Sequence, residues 1–262
     1  MPISFTPIYE QDCWSGSTWT VHDEAALAQM VARVALGQSR SVERILIATD
    51  ASSIGHLTGG FAGAKELLTV QEGADPYHRD GWLFQVVSWI AAHRQARGAL
   101  IRAPQMIKAD KGLDGLIVEF DDNKMARVVI CEEKATEQAR QKIREAVWPE
   151  FEHFETGARD NELVATVTAL LERSGDGDPD KTVADILWRD KRAYRVAVTV
   201  GQSHSTTEGR KRLFEGYDSI VSGDVARRRA ETLLLDDVRA WIDTIASQAT
   251  AILEEAEELD NV

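Results

Sequence analysis

The stretch Asp114-Gly115-Leu116-Ile117-Val118-Glu119-Phe120-Asp121-Asp122-Asn123-Lys124-Met125-Ala126-Arg127-Val128-Val129-Ile130-Cys131-Glu132-Glu133-Lys134 carries two apolar runs on either side of a polar turn. Leu116–Val118 and Val128–Cys131 are too apolar for a solvent-exposed ribbon, so the spacing predicts two buried strands in an antiparallel hairpin centred near Asn123. Pairing residue i with about 246 − i sets Asp114 opposite Glu132, where cross-strand Cβ atoms lie about 4.5–5.5 Å apart. Glu132 and Lys134 are two residues apart and therefore share a face. Two carboxylates and an ammonium are thus expected to meet at the end of a buried hairpin, and charge in such a place requires a partner.

Outward from the hairpin the pattern is α/β. Asp80 is a plausible N-cap for a helix through about Arg97, with Trp82, Leu83, Val86, Val87, Ile90 and Ala91 inward. Ala99–Ile101 and Met106–Ile107 flank Pro104 and read as an irregular edge strand. Downstream, Thr136 can cap a helix with Ala139, Ile143 and Val147 in line, which Pro149 should end or kink. Asp160 opens another helix, with Leu163, Val164, Val167, Leu170 and Leu171 on one side, and Tyr194–Val200 reads as a strand.

Towards the N-terminus, Leu27, Met30, Val31, Val34 and Ala35 give residues 22–36 an amphipathic helical stripe that Gly37 can end, and Arg44–Asp50 reads as a strand. The glycine-rich Gly55–Gly63 segment lacks the spacing of a phosphate loop and is expected to be a turn or flexible loop. His56 and His78 lack a second ligand at metal spacing and are expected at the surface, in loops. The acidic Ser174–Asp180 loop lacks the full ligand spacing of a calcium loop. Asp224 to Glu258 reads as almost wholly helical, with Leu234, Val238, Trp241, Ile245, Ala249, Ile252 and Ala256 in a stripe that packs on the core or on a partner. The expected organisation is an N-terminal α/β extension over 1–79, a core over 80–215 and a C-terminal helical segment over 216–262.

The chemistry that wants the convergent trio is phosphodiester hydrolysis. Hard Mg²⁺ takes oxygen ligands and keeps several waters, so one or two carboxylates plus a substrate phosphate supply enough of its shell. An adjacent lysine can neutralise charge developing on the phosphate or hold the attacking water. A salt-bridged surface patch is the bland alternative, but Glu132-Glu133-Lys134 is the only Glu-x-Lys in the chain. The polar Gly201–Thr207 segment with His204 has no Gly-x-Ser-x-Gly elbow, which weighs against a Ser-His hydrolase.

Asp114 followed by a strand, a turn, a strand and Glu132-x-Lys134 resembles the PD-(D/E)xK nuclease superfamily, over roughly residues 80–200. The resemblance implies a restriction-endonuclease-like mixed sheet flanked by helices, with a C-terminal helical extension. It further implies Asp114 and Glu132 as ligands of Mg²⁺ or Mn²⁺, Lys134 as the catalytic lysine, and Glu133 as at most a backbone carbonyl donor. Many members carry a further Glu on the preceding helix, and the corresponding residue here is Gln85, a neutral and weaker ligand. The layout also resembles, faintly, the nuclease that accompanies a helicase in Hachiman-type anti-phage defence. DNA is the expected substrate, with a helicase or other protein partner and a homo-oligomer as further expectations. The alternative is a non-catalytic nucleic-acid- or protein-binding subunit that retains the fold.

At 262 residues the chain can bury a full core. It has no run of eighteen apolar residues and no basic segment followed by an apolar one at its start, so a cytoplasmic protein without membrane contact is expected. Cys13 and Cys131 are the only cysteines and support neither a disulfide framework nor a zinc knuckle. The formal net charge of −13 repels phosphate globally, yet binding depends on the local patch. Glu254, Glu255, Glu257, Glu258 and Asp260 concentrate acid in the tail. Between Ser88 and Lys111, by contrast, Arg94, Arg97, Arg102, Lys108 and Lys111 face only Asp110. Arg140, Lys142 and Arg144 follow the Glu-x-Lys, with Arg140 and Arg144 the candidate nucleic-acid contacts; Arg210–Arg212 and Arg227–Arg229 are either phosphate-binding or solvated helix faces.

Overall fold

The computed structural model describes residues 1–47, 55–108, 112–122, 124–174, 183–184 and 191–260. Seven strands, β1 (Ile3–Glu10), β2 (Trp14–Val21), β3 (Leu100–Ile101), β4 (Gly115–Asp121), β5 (Lys124–Lys134), β6 (Arg192–Val200) and β7 (Arg228–Leu234), form one mixed sheet. Its order is β1-β2-β7-β6-β5-β4-β3, parallel from β2 to β5 and antiparallel at both margins. The hairpin keeps the register read from the sequence, Gly115 facing Cys131 through to Glu119 facing Arg127. It then slips by one residue, so that Phe120 faces Met125. The turn residue Asn123 lies outside the described residues.

Strand alternation sorts the apolar side chains onto two cores. Ile117, Val129, Cys131, Ala193 and Ala197 face helices α1 (Glu24–Ala35), α3 (Phe61–Leu68) and α4 (Tyr77–Gln95). The C-terminal helix, Val238–Asp260, closes the same side through Ile242, Ile245, Ala249 and Leu253. Leu116, Val118, Val128, Ile130, Tyr194, Val196 and Val198 face the second layer, where the Ala139–Glu155 helical run and the Asp160–Ser174 helix pack. Helices cover both faces, so every residue of β6 is buried. At the β2–β7 pairing Gly16 lies against Ala230, whose carbonyl a Cβ at Gly16 would overlap. Among the described residues no helix is long and apolar enough to cross a membrane.

The fold class is as expected, but several elements differ. Arg44–Ile47, expected in a strand, belong to helix α2 (Ser39–Ile47), because Val42 and Leu46 form a helical inward pair while Ile47 stays exposed; residues 48–50 lie outside the described set. Residues 228–234, expected to be helical, form β7, and the helix begins only at Val238. The strands at 3–10 and 14–21 carry no continuous apolar run: Pro7 interrupts the first, and Ser and Thr make up half of the second. Phe61–Gly63, expected in the glycine-rich loop, open α3. Of the two histidines placed in loops, His56 is exposed in one and His78 is exposed on α4.

Helix boundaries moved for identifiable reasons. Asp80 is not a cap; α4 starts at Tyr77, where Asp75 accepts the backbone N–H, and Asp80 pairs with Arg79 and Arg239. Pro149 does not end its helix. A wider π turn over Ile143–Val147 joins α5 (Ala139–Lys142) to α6 (Trp148–Glu155), relieving the clash a proline makes with the preceding helical turn. In the C-terminal stripe Val238, Ile245 and Ala249 are buried as expected, but Ile242 and Leu253 are fully buried in place of Trp241 and Ile252, which lie half-buried at its edge. Trp241 donates its indole N–H to Glu24 at 2.8 Å, so this helix covers its own chain.

Candidate functional site

The end of β5 places Glu132 and Lys134 on one face, and Asp114, one residue before β4, turns to meet them. The Lys134 Nζ lies 2.7 Å from Asp114 Oδ2 and 2.8 Å from Glu132 Oε2, so the three residues singled out in the sequence are brought together. The Glu133 backbone N–H adds a contact to Asp114 Oδ2 at 3.3 Å. Burial raises the Glu132 carboxyl pKa, with Lys134 pulling against it. Burial works against the Lys134 ammonium, but Glu132 and Asp114 outweigh it and hold its pKa above the ordinary lysine value.

The chain leading into Asp114 is held by side chains from three directions. The Leu113 N–H is accepted by Glu162 at 3.1 Å, and Arg102 donates to the Leu113 carbonyl at 2.9 Å. Gln85, on α4, donates to the Asp114 carbonyl. The residue standing where the resemblance expects a further acid therefore does reach the site, through its amide. On the β5 side, the Thr136 N–H and carbonyl both bond the Thr199 hydroxyl, at 2.7 and 2.8 Å, which ties the chain after Lys134 to β6. Such fixation limits the freedom of both carboxylates.

Glu133 points to the opposite face, where sequence reasoning had nothing to offer. Its Oε1 accepts from Ser88 at 3.1 Å and lies 3.4 Å from Arg195, which is almost wholly buried and bonds Glu231 at 2.7 Å. Trp19 and Gln95 complete the shell of Glu231 at 3.0 and 3.1 Å. Among the described residues Glu133 Oε2 has no hydrogen-bond partner. Burial pushes the Glu133 carboxyl up, Asp114 adding to the rise and Arg195 opposing it. These partners come from four elements and share no local motif, so only the fold reveals them.

Asp114 and Lys134, but not the buried Glu132, line a cavity of about 400 Å³ whose walls also include Tyr77, Trp82, Gln85 and Lys142. Of the basic residues after the Glu-x-Lys, Lys142 is the one on this wall. Arg140 donates to the carbonyls of Leu213 and Glu215, and Arg144 is exposed. His204 lies half-buried in a short helical turn, its Nδ1 without a hydrogen-bond partner among the described residues. The two arginine clusters part company: Arg210–Arg212 sit on a surface helix, whereas Arg227 ends a single 3-10 turn and Arg228 and Arg229 open β7, all three held by partners within the fold. Arg227 pairs with Glu155, Arg228 holds the carbonyls of Val221 and Gly223, and Arg229 makes a two-point pair with Glu119.

Among the described residues no group of three or more His, Cys, Asp or Glu side chains gathers as a metal site. Asp114 and Glu132 are two hard oxygen donors held on one ammonium, a donor set suited to Mg²⁺ or Mn²⁺ that retains most of its water, and not to Zn²⁺. No protein-family model, curated protein or solved structure matches this chain.

Proposed function

We propose that the protein is a metal-dependent phosphodiester hydrolase, a PD-(D/E)xK-like nuclease acting on DNA. The observation that carries this reading is the convergence of Asp114, Glu132 and Lys134, each carboxylate within 3 Å of the ammonium, with Asp114 and Lys134 on the wall of the cavity. Asp114 and Glu132 would hold a divalent cation, which when bound supplies Lewis acidity and neutralising charge at the phosphoryl group. Lys134, kept charged by its two acids, is placed to stabilise negative charge on the phosphate or to orient the attacking water. Gln85, Arg102 and Glu162 keep the chain at Asp114 in register, and the Thr136–Thr199 bonds do so for the end of β5.

The closed ion triad favours one second reading, a binding subunit in which the same charges only stabilise the strand ends. Glu132→Gln and Lys134→Ala separate the two. In the catalytic reading each abolishes Mg²⁺-dependent cleavage of DNA and leaves the melting temperature within a few degrees of wild type, and Mg²⁺ raises the melting temperature of wild type but not of Glu132→Gln. In the structural reading removing one charge of a buried pair destabilises by about 3–5 kcal/mol, and no cleavage is seen in wild type. Anti-phage defence, a helicase partner and self-association belong to the same proposal and are tested by co-purification with the products of neighbouring genes.

A further inference from the structure

The cavity at the site is chemically mixed. Its lining carries Asp114 and Lys134 together with Tyr77 and Ile107, which are 53% and 69% exposed. Large apolar side chains normally turn inward, so a tyrosine ring and an isoleucine left in solvent at the mouth of a polar site suit a flat, partly apolar ligand. The Lys142 ammonium stands 5.8 Å from the centre of the Tyr77 ring, and no acid pairs with it among the described residues. Trp82 backs the wall, its indole N–H fixed on the Gln105 carbonyl at 2.6 Å.

We infer that the site takes an unpaired nucleotide, its base stacked on Tyr77 and a neighbouring phosphate contacted by Lys142, so that the substrate is single-stranded nucleic acid. The inference rests on the hydrolase reading for what happens to that strand, but its binding content stands apart. Two features favour a single strand over a duplex. A base in a duplex is stacked on its neighbours and reaches the wall of a concave site only after flipping, whereas an unpaired base presents its face freely. The described walls also offer a duplex little charge: Lys134 is already shared between two acids, which leaves Lys142 as the one unpaired cation among the described wall residues. A duplex reader draws on many phosphate contacts, which the described walls do not supply.

The test is fluorescence anisotropy with a short fluorescein-labelled oligothymidylate, the blunt duplex of the same length and an oligouridylate, all in Ca²⁺ buffer. Wild type is expected to bind both single strands at least about tenfold more tightly than the duplex. Tyr77 is exposed, so Tyr77→Ala should fold normally and bind single strands roughly tenfold more weakly, while Tyr77→Phe keeps the ring and retains binding. Lys142→Ala should lower the slope of log affinity against log salt by about 0.7, the share of one phosphate on a single strand. Duplex binding as tight as single-strand binding, no binding of either, or unchanged binding in Tyr77→Ala would each overturn the inference. Cleavage of duplex and single strand at equal rates would overturn it and leave the hydrolase reading standing. Single-strand binding lost in Tyr77→Ala, without Mg²⁺-dependent cleavage in wild type, would support it and remove the hydrolase reading instead.

Discussion

Acidification should destabilise this fold through His93 before any acid denaturation of the carboxylates. His93 lies near the end of α4, 7% exposed, with its ring edge-on to Trp89 at 4.4 Å between centroids. Burial pulls its pKa from 6.5 down to about 4. The group that faces it is Glu43, on α2, with an oxygen 3.8 Å from Nε2. Burial raises the Glu43 carboxyl pKa, while Arg173 and Arg40 lower it. The sign follows from linkage. Below pH 6.5 the unfolded chain takes up a proton on this imidazole that the folded protein refuses until about pH 4, so stability is full above 6.5 and falls as pH drops through that window. At about 1.4 kcal/mol per pKa unit the loss is about 3 kcal/mol, of which about 2.5 should have gone by pH 4.5. Urea unfolding followed by tryptophan fluorescence from pH 7.5 to 4.5, on wild type and His93→Gln, isolates this contribution, because glutamine does not titrate and the remaining groups cancel in the difference. The free-energy gap between the two proteins should close, or reverse, by about 2.5 kcal/mol on acidification. A gap constant to within about 0.5 kcal/mol would refute the reasoning, since it would mean that Glu43 accommodates the imidazolium inside the fold.

Two further perturbations probe the sheet that carries the site. Arg195→Met leaves Glu133 and Glu231 buried without their shared cation and should cost about 3–5 kcal/mol in urea, whereas adding Glu133→Leu and Glu231→Leu should recover much of it; a single variant as stable as wild type would show that Arg195 neutralises nothing. Gly16→Ala drives a methyl group into the Ala230 carbonyl and should destabilise by roughly 1–3 kcal/mol, with amide exchange rising first in β1 and β2; an unchanged melting temperature would mean that the β2–β7 pairing yields without cost.

What could be read from the sequence depended on how much of each element's environment is local. The 114–134 hairpin was legible to the register because two apolar runs and a polar turn leave one pairing that buries both runs. Only the one-residue slip at Phe120 escaped, since a bulge leaves no mark in a polar turn. Helix α4 was legible from its apolar run, although its start was not, because a buried Asp80 held by two arginines looks in sequence like a cap. Strand β7 was hidden by Arg227-Arg228-Arg229, which a periodic reading assigns to a solvated helix face. Arg227 is instead taken by Glu155, Arg229 by Glu119 and Arg228 in part by the carbonyls of Asp12 and Cys13, and no local pattern encodes partners so far away in the chain. The same limit applies to Tyr77 and Lys142, which become neighbours only when α4 and α5 pack at the end of the sheet.

The local charge balance explains how an acidic chain could still handle a phosphodiester. When both carboxylates are ionised, Asp114 and Glu132 outnumber Lys134 and the trio carries one net negative charge, next to the apolar runs of its two strands. A site left in that state favours any further cation, and a divalent ion turns it net positive, which reverses its sign towards phosphate without any change elsewhere on the surface. The acidic C-terminal tail does not need to be offset at a distance, because exposed charges farther away than about 8–10 Å are largely screened at physiological salt. Attraction for the substrate would then be switched on by the ion itself. Binding of a nucleic-acid strand should accordingly rise with Mg²⁺ or Ca²⁺ in wild type and lose that dependence in Glu132→Gln, a behaviour that a purely structural ion triad has no means of producing.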